Sequence, residues 1–76
     1  MNSCMTRTIG YVPVRVGRDV VSVAVEAELN AQTHFDVLAS GAKIIVPEGL
    51  SPELANREIE TILPELQRLL ARKLLN

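Results

Sequence analysis

The hydrophobic pattern of this chain changes period once, and that change limits the fold more than any other feature. Before Pro47 most of the apolar residues fall in runs that alternate at every second position, as in strands with one buried face. After Ser51 they recur at helical spacing to the end of the chain. Strands laid down first and a helix laid down last close most simply as an α+β structure of two layers, with the helix over the apolar sheet face.

The strand region, residues 8–47, divides at its turn residues. Val12, Val14 and Val16 alternate with Pro13 and Arg15, while Ile9 and Tyr11 fall on the opposite parity. A bulge near Gly10 or Tyr11 accounts for that change of face. Pro13 has no N–H to give a ladder and marks an edge strand. Gly17, Arg18 and Asp19 supply a turn. In residues 20–29, Val21, Val23, Val25, Ala27 and Leu29 share one face, and Ser22, Ala24, Glu26 and Glu28 share the other. After a polar turn, residues 34–39 place Phe35, Val37 and Ala39 inward. Ser40-Gly41 reads as a two-residue hairpin loop, with one long bulged strand as the alternative, and Ile44, Ile45 and Val46 are strand-like. The expectation is a three- to four-stranded antiparallel β-meander.

Ser51 suits an N-cap and Pro52 the first helical position, where its missing N–H costs nothing. The helical segment, residues 51–75, carries a wide leucine-rich stripe, with glutamates leading and Arg68, Arg72 and Lys73 trailing as the macrodipole favours. Pro64 lies inside it and predicts a kink, or a split into helices over 52–62 and 64–75. A straight helix from Pro52 to Leu75 is ~36 Å long, whereas a strand of about six residues spans ~20 Å. The helix should overhang the sheet by more than two turns.

The 76 residues make one domain. A core of this size supplies only about 3–5 kcal/mol. Cys4 is the only cysteine and His34 the only histidine, so neither an internal disulfide nor a four-ligand zinc site is expected. Residues are 47% hydrophobic and the mean hydropathy is +0.19, more apolar side chain than a small monomer readily hides. A partner subunit is the remaining source of stability, and a homodimer is expected. Residues 1–6 read as a disordered tail, with Met5 as an alternative start. No signal peptide or membrane span is legible, and a lone thiol fits a reducing cytoplasm.

The net charge of −1 and an aromatic content of 3% provide neither a general basic field nor stacking platforms for nucleic acid. Arg7, Arg15 and Arg18 gather near the first hairpin in sequence, and a two-stranded ribbon can enter a DNA groove. That gives a DNA-binding alternative, against ordinary protection of an edge by charge. His34 and Asp36 share a strand face and could serve an enzyme site completed across a dimer, though no nucleophile accompanies them. Cys4 reads as a passive tail thiol, and Glu26 with Glu28 as a solvated face rather than paired catalytic carboxylates. No cofactor or metal motif is present. The leading expectation is therefore a small intracellular protein-interaction or assembly module without enzymatic chemistry. Its interface is Leu66, Leu69, Leu70, Leu74 and Leu75, where the helix outruns the sheet.

Overall fold

A computed structural model describes residues 6–75, the side chain of Leu75 excepted. β1 (Thr6–Val16), β2 (Asp19–Glu28), β3 (His34–Leu38) and β4 (Gly41–Pro47) precede one helix, α1 (Pro52–Leu75). The class is α+β. The expected tail lies outside the described residues, Cys4 with it, except for Thr6, which opens β1.

The sheet is mixed, not an antiparallel meander. Its order is β1-β2-β4-β3. β1 pairs antiparallel with β2, and β3 with β4, but β4 lies between β2 and β3 and runs parallel to β2. The cause is side-chain burial. Ile44, Ile45 and Val46 are 0%, 2% and 1% exposed. Three consecutive apolar residues present side chains to both sheet faces, and only an interior strand has neighbouring strands on both sides whose side chains can flank them. β3, five residues long, takes the edge.

The turns follow residue chemistry. Gly17 adopts φ 62° in the two-residue loop between Val16 and Asp19. After β2, Asn30 adopts φ 64°, a conformation Asn tolerates better than most residues, and the Glu28 carbonyl accepts bonds from the Ala31 and Glu48 N–H groups. The second hairpin turns at Ala39-Ser40, one residue before the expected loop, because Leu38 already pairs with Gly41. The β1 register shifts between Thr8 and Gly10, which places the bulge at Ile9.

The inner face of the sheet carries Val14, Val16, Val23, Val25, Ile44 and Val46, packed against Ile59, Leu66 and Leu70 of α1. Leu29, expected inward, lies past the end of β2 and is 51% exposed; Val37 and Ala39 on the far edge are also exposed. Ser51 caps the helix, its Oγ accepting from the Leu54 N–H at 3.3 Å. The helix does not split at Pro64. Pro64 withholds a donor from the carbonyl of Glu60, and both residues are exposed, so water can meet that carbonyl and the helix continues. The overhang is also shorter than expected. β1 and β2 are 11 and 10 residues long, and the Gln67 amide donates to the Arg15 carbonyl at 2.6 Å. Lys73 Nζ donates to the Leu38 carbonyl. Burial persists to Leu70, at 0%, and fails at Leu74, at 51%.

Two outcomes follow from this packing. Leu66→Ala or Leu70→Ala should cost about 2–5 kcal/mol in urea unfolding, whereas Leu74→Ala should stay within about 0.5 kcal/mol; equal losses would contradict the burial order. Pro64→Ala should raise the urea midpoint, by up to ~3 kcal/mol of stability. A lowered midpoint would mean that the proline at position 64 favours the packed form of α1.

Candidate functional site

Only one face of the sheet meets the helix. On the opposite face the register aligns side chains in rows across the strands. Tyr11, Ala24, Lys43 and Asp36 form one row; Thr8, Glu26, Ile45 and His34 form the next. Toward the Gly17 turn lie Pro13 with Ser22, then Arg15 with Val20. Tyr11 is 67% exposed, Val20 60% and Leu38 40%. Ile45 is the exception on this face. It sits between Glu26 and His34 in its row, with Lys43 two positions along β4, and Lys43 Nζ reaches Glu26 Oε1 at 3.8 Å. The aliphatic stems of such long side chains can screen an apolar neighbour while their charges stay wet.

The structure separates the three arginines. Arg7 and Arg15 stand eight positions apart on β1, ~26 Å at strand rise. Arg7 is also engaged, donating to both Glu48 carboxylate oxygens at 2.7 and 3.2 Å. The hydrogen bond from Arg7 holds the Glu48 carboxyl below its ordinary range. A carboxylate depressed in the folded state contributes above its unfolded pKa and loses that contribution as pH falls through the folded value, so this clasp loosens only in acid. Arg15 and Arg18 remain together at the Gly17 turn.

His34 and Asp36 both face solvent on β3, as expected from the parity of Phe35. His34 Nδ1 donates to the Gln32 carbonyl at 2.6 Å, which fixes the ring for a local turn. No group of three or more metal-binding side chains occurs among the described residues. Glu26 and Glu28 share the open face, half-buried at their strand positions.

The leucines of the expected interface do not form one surface. Leu66 and Leu70 are 0% exposed in this chain's own core, so they are not available to a partner in this conformation. Leu69 is half-buried and Leu74 exposed, and the two are about 140° apart around the helix axis. The side chain of Leu75 is outside the described residues.

Two further features lie along β1. Pro13 must turn its nitrogen away from β2, toward the free edge of β1. Arg15, two positions on, directs its carbonyl the same way and is capped by Gln67. With the bulge at Ile9, these devices blunt β1 as a template for another strand. Between β1 and the start of α1 lies an apolar groove of about 290 Å³ bordered by Gly10, Val12, Val25, Leu50, Ala55 and Ile59. It exists because Gly10 has no side chain on the helix-facing side of β1, where an added Cβ would touch nothing within 4 Å.

The chain matches no protein-family model, no curated protein and no solved structure. No helix among the described residues is long and apolar enough to cross a membrane.

If the groove is a packing vacancy, Gly10→Val should fill it. The strand gains a β-branched residue and loses a glycine, worth about 0.5–1 kcal/mol, read as a raised melting midpoint. A fall in stability would show that the groove is needed open.

Proposed function

We propose that this chain is a small protein-interaction and assembly module that works as a homodimer and performs no reaction of its own. The observation that carries this reading is the one-sided cover of the sheet: a single helix packs one face, and Tyr11, Val20 and Leu38 stand exposed on the other. A chain of 76 residues has a thin core, and burying that second face is its most direct source of further stability. The catalytic alternative has no support in geometry, since His34 faces solvent on an edge strand with its Nδ1 already engaged. The DNA-binding alternative loses Arg7 to Glu48 and keeps only the pair at the Gly17 turn.

The test is molar mass by light scattering across a wide dilution series. The expected result is twice the 8.3 kDa chain mass at high concentration, with dissociation on dilution. A mass of one chain throughout the series would overturn the assembly reading.

A further inference from the structure

We infer that the open sheet face is the surface on which a second copy of this chain docks, face to face and with its strands inverted. This rests on the assembly reading above and adds the surface and its orientation.

Arg15 and Arg18 lie at the Gly17 end of the first hairpin, and Glu26 and Glu28 at the other end of β2. Arg15 stands opposite Val20, so the basic and acidic ends are six to eight positions apart along β2, or ~20–26 Å. Asp19 lies beside Arg18, and Lys43 is held by Glu26 at 3.8 Å. Asp36 lies beside Lys43 in the Tyr11–Ala24 row, midway between the two ends. The open face is therefore polar along the strand direction, basic below and acidic above.

Two copies can stack these faces around a two-fold axis lying between the sheets. An axis along the strands would set arginine on arginine and glutamate on glutamate. An axis across the strands inverts the second copy, so that Arg15 and Arg18 of each chain meet Glu26 and Glu28 of its partner. The level midway between Val20 and Glu28 is the Tyr11–Ala24 row. The axis runs along that whole row, so Tyr11 of each copy packs against Tyr11 of the other, and Lys43 and Asp36, neighbours in the same row, lie at the axis as an oppositely charged pair. Pro13, two positions from Tyr11 on the same face, extends the apolar centre, and Arg15, Arg18, Glu26 and Glu28 lie toward its two ends, as charges do at the rim of a protein interface.

Size is adequate. The molecule is a plate 36 × 30 Å across and 16 Å thick, and a standard interface buries ~800 Å² on each partner. The competing route, edge-to-edge extension through β1, is obstructed by Pro13, by the Gln67 cap on the Arg15 carbonyl and by the bulge at Ile9.

The experiment uses two variants of the full chain: Arg15→Glu with Arg18→Glu, and Glu28→Lys with Glu26→Gln. Each is checked for native circular dichroism, and its molar mass is followed on dilution, alone and in an equal mixture. Each variant alone should dimerise at least about tenfold more weakly than the wild type, and the mixture should recover the wild-type mass, because opposite signs then meet across the interface. Tyr11→Ser, a substitution at an exposed centre, should also yield a folded monomer. The inference is overturned if the wild type is a dimer while both charge variants and Tyr11→Ser dimerise as it does. It is also overturned if Leu74→Glu alone produces the monomer. Either result leaves the assembly reading standing with another surface, whereas a monomeric wild type removes both.

Discussion

The packing of one helical stripe against one sheet face governs the rest of this molecule. Ala55, Ile59, Leu66 and Leu70 are the buried members of that stripe, and they meet the inner residues of β1, β2 and β4. Among the described residues there is no other helix with which to cover a sheet. The sheet must therefore keep its most apolar strand where neighbours can shield it, and this places β4 in the interior. β2 is long enough to serve both β1 and β4, pairing antiparallel with one and parallel with the other.

Much of this was legible in the residues. The change of period at Pro47–Ser51, the Gly17 turn, the Ser51 cap, the edge position of β1 at Pro13 and the shift of face near Gly10 each rest on a local rule with a short physical reach. The strand order was not legible from the turns, because a short polar connection looks the same whether the next strand lies adjacent or skips one place. The information was present elsewhere. Ile44-Ile45-Val46 does not alternate, and an unbroken apolar triplet in a short strand marks burial on both faces. β-propensity alone, which the triplet also has, says nothing of where its strand sits in the sheet.

The candidate interface was less legible for a related reason. A leucine-rich helix end looks equally suited to self-cover and to docking until the length of the sheet is known. With β1 at 11 residues, the sheet reaches far enough to bury Leu70, and only Leu74 is left beyond it among the described side chains. The open face was harder to see because its residues are ordinary individually: Tyr11, Ala24, Val20 and Ile45 come from three strands, and only the register brings them together. Arg7, Arg15 and Arg18 show the converse, being close in sequence but drawn apart by an extended strand.

Edge protection and face exposure are linked in this fold. A mixed sheet with two free edges risks open-ended growth by strand addition. β1 resists it by a missing donor at Pro13, a capped carbonyl at Arg15 and a bulge at Ile9, and β3 by its length of five residues. These devices act along the strand edge and leave the open face uncovered, so that face keeps its exposed apolar residues. A surface that blocks association in one direction and leaves it unblocked in another favours closed assembly over filament formation. Placing the arginines at one end of that face and the glutamates at the other then distinguishes between the two ways of closing it, since attraction at both ends is available only to the inverted arrangement.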